Sequence, residues 1–213
     1  MTEVEVKLTL EESGYRKVID HFQSSLQETL DQWNIFFDTP DGELGSQRCS
    51  FRLRQIKSDK NPERWFICCK KGGQLSQGVA IRPETEAEID KDAGNKILSN
   101  PNLIFKLSPQ IIQNELQEVS SSKFEIIGDF RTIRRVISFA GMKIEADESF
   151  LPDNSVFFEL EIECENPQQA KKEIEAELNK IGVSFVDSTK GKMARLMSLP
   201  PEKRISRKSC VID

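Results

Sequence analysis

From residue 156 to 165 the chain sets Glu159, Glu161, Glu163 and Glu165 against Leu160, Ile162 and Cys164 in strict alternation. This pattern constrains the fold more than any other in the sequence. A period of two is that of a β-strand, whose successive side chains point to opposite faces. One face is apolar and the other is a column of carboxylates. Like charges two apart repel, and like charges on neighbouring strands weaken pairing. The column therefore requires positive charge close by, from facing Lys and Arg or from bound divalent cations.

The same alternation recurs along the chain. Residues 1–10 set Glu3, Glu5 and Lys7 opposite Val4, Val6 and Leu8. Residues 50–56 set Arg52 and Arg54 opposite Phe51 and Leu53, and residues 79–89 put Arg82, Glu84, Glu86 and Glu88 on one face. Pro83 within that run signals an edge or a bulge, which would shift the parity there. Further strands are expected at 34–38, 65–71, 124–130, 132–139 and 142–148, with a short one at 183–186. Helical spacing of Tyr15, Val18, Ile19, Phe22 and Leu26 predicts a helix from Glu12 to about Leu30. Residues 92–122 read as helical pieces, and Asn166-Pro167 opens a helix closed by Gly182. The class is α+β and β-rich, with short turn-linked strands that favour antiparallel pairing and suit a closed barrel. Residues 1–199 are expected as one domain and residues 200–213 as a basic, flexible tail.

Composition narrows the chemistry. A single histidine, His21, rules out most His-based zinc sites. Carboxylate clusters without His favour Mg²⁺ or Mn²⁺, which take oxygen ligands. A formal charge of −5 argues against general nucleic-acid binding, so no nucleic acid is expected as partner. Five cysteines, an odd number without a C-x-x-C spacing, read as reduced thiols, and with the charged start of the chain they favour the cytoplasm. Lys7, Arg52, Arg54, Lys70, Arg82, Arg134 and Lys192 all fall at plausible strand positions. Converging in one lumen, they would bind a polyanion, because guanidinium forks match phosphate oxygens. A lumen with carboxylates on one side and Arg and Lys on the other suits phosphoryl transfer.

These residues resemble a known family. Glu3-Val4-Glu5-Val6-Lys7 is similar to the E-x-E-x-K signature of the CYTH superfamily, the triphosphate tunnel metalloenzymes. Phe36-Phe37-Asp38-Thr39-Pro40, Phe51-Arg52-Leu53-Arg54, Cys69-Lys70 with Gly72, Arg82-x-Glu84-x-Glu86, Glu145-Ala146-Asp147 and Glu161-Ile162-Glu163 follow in the family's order. Lys192-Met193-Ala194-Arg195-Leu196 resembles its C-terminal motif, with Met193 in place of an aromatic. The version here is most like the plant-type enzymes. The resemblance implies an eight-stranded antiparallel barrel enclosing a tunnel, with flanking helices. It implies a hydrolase acting on a small triphosphate with Mg²⁺ or Mn²⁺. Metal ligands would be Glu3, Glu5, Asp147, Glu161 and Glu163. Glu5 would orient or deprotonate the attacking water, with Glu3 and Glu163 as alternatives and Lys192 beside the reacting group. The seven cations above would hold phosphate.

Several alternatives stay open at this level. Lys190 and Lys192 both fit the last motif, and Arg135 adjoins Arg134. Inorganic triphosphate is the first substrate reading and thiamine triphosphate the second. A non-enzymatic polyphosphate binder is the third, which the facing carboxylates disfavour. Cys210-Val211-Ile212-Asp213 has the outline of a prenylation box, though Asp is not a usual last residue. A membrane is a partner only if Cys210 is lipidated.

Overall fold

The computed structural model describes residues 2–206. The first half runs β1 (Thr2–Leu10), α1 (Glu12–His21), β2 (Leu26–Asp38), α2 (Glu43–Ser46), β3 (Cys49–Ser58), β4 (Arg64–Lys71), β5 (Gln74–Ser76) and β6 (Val79–Ile89). Three short helices follow, α3 (Lys91–Ser99), α4 (Leu103–Leu107) and α5 (Gln110–Glu115). The second half is β7 (Glu125–Phe139), β8 (Met142–Phe150), β9 (Val156–Glu163), α6 (Pro167–Lys180), β10 (Phe185–Asp187) and α7 (Lys192–Met197).

Eight strands close into a barrel in the order β1-β9-β8-β7-β2-β3-β4-β6, and β6 pairs back onto β1. The pairings around this ring are antiparallel. The small strands β5 and β10 extend the edges of β6 and β1. Closure removes the open edge that a sheet would otherwise expose.

The barrel carries its apolar faces outward. Val6, Leu8, Ile144, Leu160 and Ile162 from β1, β8 and β9 pack beneath α1 and α6, joined by Tyr15, Val18, Ile174 and Leu178. On the opposite side Ile35, Phe37, Phe51, Leu53 and Ile67 pack beneath α2 to α5, with Ile97, Ile104 and Ile112. The alternating charged residues consequently face the lumen. A third cluster closes one end. Leu196 of α7 is buried on Phe36, Phe130 and Leu151, with Met193 beside it. Gly128 on β7 makes room, because a Cβ there would stand 2.8 Å from Leu196 and 3.0 Å from the Arg204 carbonyl oxygen.

Some expectations require correction. The first helix ends at His21, and Leu26 to Leu30 belong to β2, paired with β7 and β3. Leu26 continues the helical spacing of Phe22, but pairing with β7 from Leu26 and with β3 from Leu30 outweighs that local preference. The strands expected at 124–130 and 132–139 are one 15-residue strand, β7. Its register slips opposite Phe36 and Phe37, a bulge that bends it without ending it. The run ending at Glu165 stops being strand at Glu163. Lys192 lies on a helix, not on a strand. Residues 200–206 lie against β7, with the Asp129 amide donating to the Arg204 carbonyl at 2.9 Å. Cys210 lies outside the described residues. No helix among the described residues is long and apolar enough to cross a membrane.

Gly128→Val should place a branched side chain against α7 and lower stability by about 1–3 kcal/mol. Thermal denaturation measures the loss, and an unchanged midpoint would refute the packing of α7 on Gly128.

Candidate active site

The lumen is a cavity of about 490 Å³. Lys7, Arg52, Arg54, Lys70, Arg82, Arg134 and Lys192 all line it, as do Glu3, Glu5, Glu161 and Glu163. Arg82, Glu84 and Glu86 share the lumen, so Pro83 does not shift the parity of β6. Pro83 sits where β6 changes neighbour from β5 to β4, a position that spares its missing N–H a ladder partner. Lys192 enters the cavity while Lys190 is exposed outside it. Arg134 points inward, whereas Arg135 points outward to the Tyr15 hydroxyl at 2.7 Å.

Register explains the convergence. Glu5 stands directly opposite Glu163, and Lys7 opposite Glu161, across β1 and β9. Glu161 in turn faces Glu145 on β8, and Arg134 of β7 faces Asp147. The buried carboxylates meet cations. Lys7 bonds Glu161 and lies 3.1 Å from Glu5, and Arg82 donates to Glu5 at 2.9 Å. Lys70 bridges Glu3 at 2.7 Å and Glu84 at 2.5 Å. Arg134 forks onto both oxygens of Asp147 at 2.8 and 2.7 Å, reaches Glu161 at 2.7 Å, and bonds Glu145. Lys192 lies 2.5 Å from Glu161, 2.8 Å from Asp147 and 3.4 Å from Glu159. Asp147 shares the inward face of β8 with Glu145 but is fully buried beneath Arg134 and Lys192, so it does not line the open cavity. Glu163 is exposed and has no ion-pair partner among the described residues.

Burial competes with these charges in setting protonation. Burial raises the Glu161 carboxyl, but Lys192, Lys7 and Arg134 outweigh it and hold the group well below its ordinary range. Burial likewise raises Glu5, and Lys7, Lys70 and Arg82 bring it below the ordinary value. Burial favours neutral Lys192, but Asp147, Glu161 and Glu159 reverse this and keep it protonated. Glu3 goes the other way: burial and a hydrogen bond with Glu84 lift it to about 7 against the pull of Lys70. Glu84 is the ionised member of that pair, taken down to about 2 by Lys70, Glu3 and Arg52 despite its own burial.

The arrangement includes acidic groups outside the expected site set. Glu84, Glu86 and Glu145 line the cavity, and Glu159 is buried beside it. Their signal was in the sequence, since each shares the alternating face of an expected site residue: Glu84, Glu145 and Glu159 lie two residues from one, and Glu86 four from Arg82. Gln32, Asn34 and Thr132 also line it, and no charge pattern marks those neutral residues. Cys68, Glu84 and Glu86 bring ligand atoms within 4.8 Å of one another, so acidic groups able to hold a cation also stand on the β4–β6 wall. Cys49 and Cys69 face the outer core, their sulfurs 3.3 Å apart. His21 pairs with Glu177 at 2.8 Å on the surface.

The family model for the CYTH domain matches residues 1–191. The chain belongs to the CYTH family. Among solved structures this CYTH chain is similar to HpAC1 from Hippeastrum, described as an adenylyl cyclase with a dominant triphosphatase activity. Identity is 28%, coverage 94% of this chain and 99% of that one, and the TM-score 0.86. A Bacillus halodurans chain described as an adenylate cyclase shares the fold at 20% identity. It covers 91% of this chain and 96% of its own length, with a TM-score of 0.69. No curated protein matches the chain.

Two outcomes test the charge network of this CYTH barrel. Arg134→Met leaves Asp147, Glu145 and Glu161 short of their shared cation and should cost about 3–5 kcal/mol. The exposed pair of Arg131 with Asp31 is the control, where Arg131→Met should cost under about 1 kcal/mol. Urea denaturation compares them, and equal losses would refute the network. The second outcome concerns pH. Glu3 has an ordinary value of 4.5 and is lifted to about 7 in the fold, so between those values the folded chain holds a proton that the unfolded chain has released. This contribution to stability is complete below the lower value and is lost as pH rises through the upper one. Glu3→Gln should flatten the stability–pH slope in that window, and an unaltered slope would assign the proton elsewhere.

Proposed function

We propose that the chain is a metal-dependent triphosphatase that hydrolyses inorganic triphosphate to pyrophosphate and phosphate. The observation that carries the reading is the facing of two charged sets in one closed lumen, seven cations and four carboxylates of the expected site. A simple polyanion binder gains nothing from such carboxylates, whereas a metal-assisted hydrolase uses them. The dominant triphosphatase activity of HpAC1, a structure similar over nearly the whole chain, supports the same reading.

The residues fit a hard divalent cation. Glu5 and Glu163 are register partners and Glu3 lies two residues along the same face, so the donors are all oxygen. Glu3, Glu5, Glu161 and Glu163 would hold Mg²⁺ or Mn²⁺, which when bound supplies charge neutralisation on the phosphate oxygens. Asp147 serves the site by holding Arg134 and Lys192 in place. In this reading the internal ion pairs exchange partners on binding. Lys7, Arg52, Arg54, Lys70, Arg82, Arg134 and Lys192 turn from carboxylates to phosphate oxygens, which accept guanidinium forks in the same way. Water then attacks the terminal phosphorus, the bridging P–O bond breaks, and pyrophosphate leaves.

Glu5 orients that water and takes its proton. Its carboxyl lies below the ordinary range, so it is ionised at neutral pH. A loose phosphoryl-transfer transition state asks for positioning more than for a strong base. Glu3, lifted to about 7, is the stronger base of the two, and Glu163 is the more open. Lys192 stands beside Glu161 to neutralise charge on the reacting phosphate. Inorganic triphosphate is favoured over thiamine triphosphate or a nucleotide by the lining. Among the described residues Phe36 is the one aromatic on it, and both Trp33 and Trp65 lie elsewhere.

Phosphate release from inorganic triphosphate, thiamine triphosphate and ATP, with and without Mg²⁺, tests the proposal. Release from inorganic triphosphate alone, dependent on the metal, is expected, and no release from any of the three refutes it. Glu5→Gln should lower turnover by about 100-fold or more while triphosphate binding survives. Retained turnover would move the water-handling role to Glu3 or Glu163.

A further inference from the structure

Asp129 lies on β7 outside the charged lumen and is fully buried. Among the described residues it has no ion-pair partner. Its charge is met by hydrogen bonds instead. Trp33 Nε1 donates to it at 2.7 Å, and the Ser206 amide and hydroxyl each donate at 2.6 Å. Its own amide donates to the Arg204 carbonyl at 2.9 Å. Asp129 thus fastens two points of the segment that follows α7, Ser206 through its carboxylate and Arg204 through its backbone amide.

That segment fastens α7 in turn. The Arg204 guanidinium donates to the carbonyls of Met197 at 2.9 Å and Leu199 at 2.8 Å. Met197 ends α7, where carbonyls lack helical partners and a cation is favoured. Lys192 begins the same helix and reaches three carboxylates, of which Glu161 lines the lumen and Asp147 and Glu159 are buried beside it. Gly128, the neighbour of Asp129, leaves the space that Leu196 fills. A continuous chain of contacts therefore runs from Asp129 through Ser206 and Arg204 to α7 and on to Lys192. Lys192 and this whole segment follow the last residue matched by the family model.

We propose that Asp129 is a positioning residue for Lys192: through Ser206 and Arg204 it seats α7 so that the ammonium stands in the lumen. The seating itself is independent of the proposed activity, while its effect on turnover rests on the triphosphatase reading.

Amine acylation of the full chain, read by peptide mass spectrometry, tests the seating. Lys192 has a side chain only 12% exposed, and Lys70 in the same lumen, on β4, serves as the internal reference. Asp129→Ala and, separately, Arg204→Met should raise the Lys192 to Lys70 labelling ratio at least about fivefold, as local opening of α7 becomes more frequent. Arg204→Met removes no buried carboxylate and carries the test if Asp129→Ala fails to fold. An unchanged ratio in a folded variant overturns the proposal. Turnover of triphosphate supplies the second readout. Each variant should lower kcat/KM about tenfold, and neither should lower it further in a Lys192→Met background, since coupled residues are not additive. Full additivity would reduce Asp129 to a structural role. If no triphosphatase activity exists, the labelling ratio alone decides, so the two readings fail separately.

Discussion

Compensation of buried charge is the constraint on which this structure depends. Carboxylates from β1, β6, β8 and β9 face a single lumen, and none of those strands supplies enough positive charge for its own column. A buried ion pair that loses one partner leaves an uncompensated charge, at a cost of about 3–5 kcal/mol. The barrel resolves this by bringing Arg52 and Arg54 from β3, Lys70 from β4, Arg134 from β7 and Lys192 from α7 to the same cavity. Each cation touches carboxylates from strands other than its own. The lumen is therefore stable only as a closed ring, and closure and charge balance are one requirement.

Charge turned inward forces the apolar faces outward, and the helices exist to cover them. α1 and α6 cover one side of the barrel and α2 to α5 the other. The exception is informative. At the end filled by α7 the interior becomes apolar, with Phe36, Phe130 and Leu196 in contact, and a glycine replaces a side chain on β7. In the proposed reading these ion pairs occupy the groups that a triphosphate and its metal would take, so binding would exchange partners among charges already desolvated.

Much of this was legible in the residues. Alternation on β1, β3, β6 and β9 identified the strands and the face each would turn to the lumen, because a strand has no third option for its side chains. The expected cations and the carboxylates Glu3, Glu5, Glu161 and Glu163 duly line the cavity. The errors are of a different kind. Leu26 to Leu30 looked helical because Leu26 continues the spacing of Phe22, and only pairing with β7 and β3 draws them into a strand. β7 looked like two strands divided at Arg131, whereas it is one strand bent by a bulge beside Gly128, and a glycine inside a strand is itself a mark of such a bulge.

The sequence by itself determined that strand faces would be segregated into charged and apolar, with carboxylates and cations sharing the charged faces. Local alternation suffices for that, since it requires only the two-residue period of a strand. The tertiary structure decided which charge meets which. Register set Glu5 against Glu163 and Arg134 against Asp147 and separated Arg134 from Arg135, while α7 brought in Lys192 and left Lys190 outside. It also placed α7 across the barrel end and Asp129 beneath the segment that follows. These choices depend on contacts between residues far apart in the chain, whose energies exist only once the ring is closed.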